Sequence, residues 1–188
     1  MSEQTKYRLL IINDVTSRQT RWFAREKEEN SLVLNVGEGH ARMRAEMQSL
    51  IQQGIRFQNA IFTGHGNKGV ILFGKEWINR DTWYTQFYNK GFDNLFLPSA
   101  MIYFAGCRVA GGSKGWGFLE AAARSLMGLN GGTAQAWTSL GFYTPFRNHV
   151  SHVWGDTRQV KVLPRQDGLL FYENWQMIKK DGYPVRPT

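Results

Sequence analysis

Apolar residues along this chain come in two rhythms. Short unbroken runs, Leu9-Leu10-Ile11-Ile12 within 6–13 and Leu32-Val33-Leu34 within 31–36, suit strands buried on both faces of a parallel sheet. Over 38–53 the apolar positions Met43, Met47, Leu50 and Ile51 instead recur at helical spacing, and Gly54 supplies a stop. Ala60-Ile61-Phe62 then leads into Thr63-Gly64-His65-Gly66, which predicts a third strand ending at His65. Between the first two strands, 17–30 is polar and charge-rich with Trp22 and Phe23, and reads as a short helix or an ordered crossing.

The alternation continues downstream. Residues 67–74 read as a turn and a short strand, one arm of a surface hairpin, and the aromatic-rich stretch 79–89 as a helix. Pro98 closes the connection before a strand at 100–105. A glycine-rich turn, Ala110-Gly111-Gly112-Ser113-Lys114-Gly115, precedes 118–127, which is made mostly of good helix formers; Gly131-Gly132 stops it, and 133–138 is a fifth strand. From Gly141 the pattern loosens around Pro145, Pro164, Pro184 and Pro187, leaving strands or a hairpin near 159–163 and 168–172 and a packed tail. No internal repeat is present. Strands alternating with helices predict an α/β fold with a mostly parallel sheet and helices on both faces, in one domain over 1–188. Its core spans about 6–140, with 141–188 packed on it as hairpin and tail. Sites in such folds form beyond the carboxyl ends of the strands, where both His65 and Cys107 fall.

Composition narrows the reading. The chain has 188 residues, 42% hydrophobic and 14% aromatic, enough for one well-packed core. Its single cysteine excludes an intramolecular disulfide and a cysteine-based zinc site, so the thiol is either core filler or chemistry. His149 and His152, three apart, would share a helical face, but only Asp156 lies near them, and no metal site is expected. The first apolar run is too brief for a signal sequence or a membrane span, which sets the cytosol as the expected location. A net charge of +8 favours acidic partners, yet the charge is scattered and fits a solvated basic surface. The clusters that would hold an anion are Arg18, Arg21, Arg25 and Lys27, and Lys161, Arg165, Lys179, Lys180 and Arg186.

Cys107 and His65 carry the candidate chemistry. A thiol becomes a useful nucleophile when a neighbour shifts it towards thiolate, and imidazole is the side chain suited to do so near neutral pH. The histidine precedes the cysteine by 42 residues, near the roughly 50-residue interval of caspases. A strand, His-Gly, a helix, a strand, Gly106-Cys107 and a helix together resemble the caspase-like superfamily of cysteine peptidases, clan CD, over about 6–140. The likeness rests on Thr63-Gly64-His65-Gly66 and Phe104-Ala105-Gly106-Cys107. The Gly-Cys ending and Lys114-Gly115-Trp116-Gly117-Phe118 look most like its bacterial toxin- and adhesin-associated branches.

That resemblance implies a caspase-like three-layer sandwich and a cysteine endopeptidase, self-processing or part of a bacterial toxin or defence system and deliverable as an effector. Cys107 would attack a carbonyl, His65 would manage the protons, and the backbone amides of Gly66 and Cys107 would hold the oxyanion. A glycine after the histidine fits, since a missing side chain lets a substrate carbonyl approach the donor. The helix beginning near Lys114 would add a favourable dipole if its N-terminus faces the thiol. Trp137, Thr138 and Ser139 open the segment implied to line the substrate pocket. Gly106 and Val109 depart from the caspase signature Gln-Ala-Cys-x-Gly, so aspartate specificity is not expected. No acid lies immediately before Cys107 to pair with Arg or Lys, which leaves a small or apolar residue such as leucine. No cofactor is implied beyond a polyanionic activator such as inositol hexakisphosphate.

Two other readings compete. A catalytically silent caspase-like module would bind a protein or polyanion through its basic, aromatic surface, with an unreactive Cys107. An α/β nucleic-acid binder would stack bases on its seven Trp and seven Tyr. The aromatics are interleaved with apolar residues as core positions are, and no nucleic-acid motif is present, so this reading ranks last.

Overall fold

The computed structural model describes residues 8–16, 30–144, 149–152, 156–164, 169–174, 179–180 and 183–184. The apolar runs become strands β1 (Leu9–Asp14), β2 (Ser31–Val36) and β3 (Phe57–Thr63), with helix α1 (His40–Gln52) between the last two. Gly54 ends that helix segment with a left-handed φ of 72°. A small antiparallel sheet follows, of β4 (Gly66–Asn67), β5 (Val70–Phe73) and β6 (Glu76–Ile78). Helix α2 (Arg80–Gln86) starts on a capping box: the Asn79 side chain accepts from Thr82 N at 2.9 Å, and the Thr82 hydroxyl accepts from Asn79 N. Strand β7 (Phe96–Phe104), helix α3 (Gly112–Met127) and β8 (Gly132–Trp137) complete the alternation. Beyond it lie β9 (Gly141–Thr144), β10 (His149–His152), β11 (Thr157–Val162) and β12 (Leu169–Asn174), and Lys179–Lys180 pairs with Tyr183–Pro184.

The main sheet has seven strands in the order β12-β11-β8-β7-β3-β1-β2. Neighbours from β2 through β8 are parallel, and β11 and β12 extend the sheet as an antiparallel pair. Period-two alternation sorts its side chains. Leu10 and Ile12, Ala60 and Phe62, Ile102 and Phe104, Ala134 and Ala136, and Val160 and Val162 join one core with buried residues of all three helices. Trp83 of α2 sits at its centre, with ring centroids 5.9 Å from Phe62, 5.8 Å from Phe104 and 6.1 Å from Phe118. Trp83, Phe62, Phe87 and Phe104 are fully buried, so these aromatics serve the core. The opposite face is also covered: Asn13, Tyr103, Gln135 and Trp137 are buried there. The sheet is therefore the middle layer of an α/β sandwich.

The described helices all share one face; the helix or crossing expected within 17–30 lies outside the described residues save for Asn30. Other expectations change. Pro98 does not precede β7 but lies inside it. Phe96 pairs with Phe57 and Met101 with Asn59, so residues between them bulge out of the ladder, and Ser99 adopts φ 62°. A proline lacking its N–H is tolerated at such an irregularity. Helix α3 begins at Gly112, inside the expected glycine-rich turn. His149 and His152 lie on β10, paired with β9, rather than on a helix.

Candidate active site

The chain leaves β1 for β2 on one side and returns past β1 to β3 on the other, so the carboxyl ends of β1 and β3 flank a topological switch point. The next strand across is β7, with Phe62 paired to Phe104, and Ala105 N donates to Phe62 O at 2.8 Å. His65 and Cys107 each lie three residues beyond one of these paired phenylalanines. The two loops touch through backbone. A Cβ added to Gly66 would sit 2.5 Å from Cys107 O and 2.8 Å from Cys107 N, and one added to Gly106 would sit 3.1 Å from Gly66 Cα. The structure thus brings Gly66 and Cys107 into backbone contact with His65 adjacent. The glycine after the histidine is required because Cys107 itself occupies the space that a side chain would need. His65 is exposed and Cys107 half-buried.

The small sheet fixes the histidine segment. Leu72 N donates to His65 O at 2.7 Å, one side of the Gly66–Ile71 pair. Antiparallel ladders alternate bonded and non-bonded pairs, so this bond leaves the Gly66 N–H outside the ladder. The far end of the small sheet is stapled to β1 by Asp14. Its Oδ1, fully buried, accepts from Gly74 N at 3.1 Å and from the Thr16 N–H and hydroxyl at 3.0 and 2.7 Å. Glu76 Oε2 accepts from His40 N at 2.9 Å and meets His40 Nδ1 at 2.6 Å, tying β6 to the start of α1. Beneath the switch point, the buried Thr63 hydroxyl donates to Asn13 Oδ1 at 2.6 Å, and Asn13 Nδ2 donates to Asn35 Oδ1 at 3.2 Å.

The Cys107 segment is held by other elements. Arg108, next after Cys107, adopts a left-handed φ of 55°, and its N–H donates to Ser139 O at 2.8 Å. Ala110 N donates to Trp137 O at 3.0 Å, and Gly69 N of the small sheet donates to Val109 O at 3.0 Å. Gly115 lets α3 lie flush on this turn, since a Cβ there would fall 2.1 Å from Ala110 C. Arg158 Nη1 donates to Ala110 O at 3.0 Å and to Gly112 O, with its guanidinium 4.7 Å from the Trp116 ring centroid.

Trp137, Thr138 and Ser139 therefore do lie beside the Cys107 turn. They contribute backbone first: the Trp137 side chain is buried with Tyr103 and Ala105 on the second face, and the Thr138 hydroxyl bonds the Asp156 backbone. Ser139 is half-buried. Among the described residues no group of three or more His, Cys, Asp or Glu is placed to hold a metal ion. No helix among the described residues is long and apolar enough to cross a membrane. Sequence reasoning missed Asp14 and Thr63; the available signal was a polar pair, Asn13-Asp14, ending an apolar run at a strand's carboxyl end.

No protein-family model matches the chain, and no curated protein matches it.

Proposed function

We propose that the protein is a cysteine peptidase whose dyad is His65 and Cys107. The observation that carries this reading is the backbone contact of Gly66 with Cys107, at equal distances beyond two paired strand residues. A thiol and an imidazole on touching loops, at the carboxyl edge of a parallel sheet, support a reading as thiol acyl transfer. Cys107 Sγ attacks the peptide carbonyl carbon as His65 takes the thiol proton. The tetrahedral intermediate collapses to a thioester, and the departing amine takes the proton from His65. Water, deprotonated by His65, then cleaves the thioester and restores the thiol. The Gly66 N–H, left outside its ladder, is a donor for the oxyanion together with the Cys107 N–H. Removing one such donor typically costs about 10²–10³ in rate.

The substrate is a protein or peptide, with a small or apolar residue before the scissile bond, facing the uncharged segment after β8. The site of action on this reading is the cytosol, of the producing cell or of one into which the protein is delivered. A panel of peptidyl acyloxymethyl ketones tests the dyad. Labelling of the wild type that is abolished by Cys107→Ala and suppressed by His65→Ala is expected. A wild type that stays unlabelled with and without an added polyanion overturns the peptidase and leaves a module that binds without turnover.

A further inference from the structure

Three exposed cations, Lys68, Arg108 and Lys114, lie on or against the turn that carries Cys107. Arg108 follows the nucleophile directly and is exposed. Lys68, at the tip of the β4–β5 turn, lays its stem over the start of α3: its Cγ is 3.2 Å from the Cβ position of Gly111, and its Cδ 3.7 Å from that of Gly112. Lys114, in the first turn of α3, reaches back to the same tip, its Cβ 2.6 Å from the Cβ position of Gly69. Both lysines are exposed, and Gly69 N bonds Val109 O, so the tip and the nucleophile turn form one surface.

No carboxylate balances them within these segments. Residues 64–72, 105–118 and 137–144 contain no Asp or Glu, and Asp156 meets the surface through its backbone at Thr138. Lys68, Arg108 and Lys114, in segments that hold no carboxylate, repel one another and gain when an anionic chain settles among them. The flat face of Trp116 is already covered by Arg158, which weighs against a base-stacking platform and for an extended acidic peptide.

We propose that this surface takes an acidic peptide segment, so that the substrate of Cys107 carries carboxylates within a few residues of its scissile bond, held by Lys68, Arg108 and Lys114. This rests on the peptidase reading for its word substrate. The acidic residues flank the pocket rather than fill it, because the segment lining the pocket is uncharged.

Binding is measured on Cys107→Ala protein by fluorescence anisotropy, which needs no turnover. Three labelled peptides share one core and differ in Glu, Gln or Lys flanks. Three exposed ion pairs lead us to expect about tenfold tighter binding of the Glu peptide than of the Gln peptide at low salt. The advantage should shrink as the Debye length falls from about 30 Å to about 8 Å. It should fall to about twofold, the share left to Arg108, in the added double substitution Lys68→Ala/Lys114→Ala and persist in full with Lys90→Ala, in the turn at the opposite end of β7. Equal binding of Glu and Gln peptides overturns the proposal, as does a Glu preference undiminished by loss of both lysines, or tighter binding of an oligonucleotide of equal charge. Glu preference without any ketone labelling of the wild type refutes the acidic substrate by removing the peptidase, whereas labelling without Glu preference refutes only the acidic surface.

Discussion

Gly66→Ala tests the contact on which the site is built. The added methyl would lie 2.5 Å from Cys107 O, 2.7 Å from Val109 Cγ2 and 2.8 Å from Cys107 N. Two of these neighbours are backbone, so no rotamer change relieves them. Gly66 is not among the glycines with positive φ, so the cost is steric rather than conformational. Restoring ordinary contact at 3.4 Å moves the two loops apart by about 0.9 Å in a close-packed region. Overpacking of this kind costs about 1–3 kcal/mol. A displacement of about 1 Å between nucleophile and base is worth about 10²-fold in rate. Urea unfolding with an unchanged m-value measures the first quantity, and the rate of ketone labelling at Cys107 the second. If Gly66→Ala unfolds at the wild-type midpoint and labels at the wild-type rate, the loops do not touch as described, and the argument for the dyad loses its support.

Four further outcomes follow from named contacts. In α3, Gly117→Ala should stabilise by up to about 1 kcal/mol because its Cβ meets only the flexible Arg80 side chain, whereas Gly115→Ala should destabilise by about 1–3 kcal/mol against the Ala110 backbone; two equal denaturation midpoints would refute the contrast. Asp14→Ala removes three hydrogen bonds to a buried carboxylate oxygen and should cost about 3 kcal/mol, with faster amide exchange at Gly74; unchanged exchange there would show that the staple does not hold the small sheet. Asn79→Ala deletes the capping box of α2 and should cost about 1 kcal/mol, read from the denaturation midpoint; no shift would contradict the cap. Burial, with Glu120 adding to it, raises the Tyr84 pKa above its ordinary 10.0, so the folded state keeps that proton to higher pH than the unfolded chain. Its contribution to stability is therefore lost as pH rises above 10.0, and phenolate absorbance of wild type minus Tyr84→Phe should appear above that pH, not below it.

Much of this fold was legible because burial on both faces leaves a plain mark in sequence. The unbroken runs at 9–12, 31–36 and 60–62 became adjacent parallel strands, and Met43, Met47 and Leu50 faced the core as their spacing predicts. The relation between His65 and Cys107 was half legible. Sequence placed both at strand ends, but only the pairing of Phe62 with Phe104 sets their depth, and register between strands is a tertiary property. Pro98 misled because a proline reads locally as a break, whereas a bulge with Ser99 at φ 62° absorbs it within β7. Sequence could give Gly66 only a missing side chain open to a substrate carbonyl; its packing against the Cys107 turn could not be read. The atoms that forbid a side chain there belong to a residue more than forty positions away.

The two halves of the site are anchored unequally, and this bears on how it works. The Cys107 turn is bonded to the segment after β8 at Arg108 and Ala110, to the small sheet at Val109, and is pressed against α3 at Gly115. Its left-handed Arg108 is a conformation that costs a non-glycine residue about 1 kcal/mol or more, and these contacts offset it. His65 is exposed, and its segment is positioned through the small sheet, whose own fastenings are Asp14 to Gly74, Glu76 to His40 and Gly69 to Val109. The first two lie at the far end, next to β1 and α1, where the Thr16 hydroxyl also donates to Gly74 O, and the last joins the tip to the Cys107 turn. A peptide bound between Lys68 and Lys114 would therefore grip the small sheet and the Cys107 turn together, at the end where Gly69 N bonds Val109 O. On the peptidase reading, acidic flanks would then act on the reaction as well as on affinity, by pressing the histidine segment against the Cys107 turn.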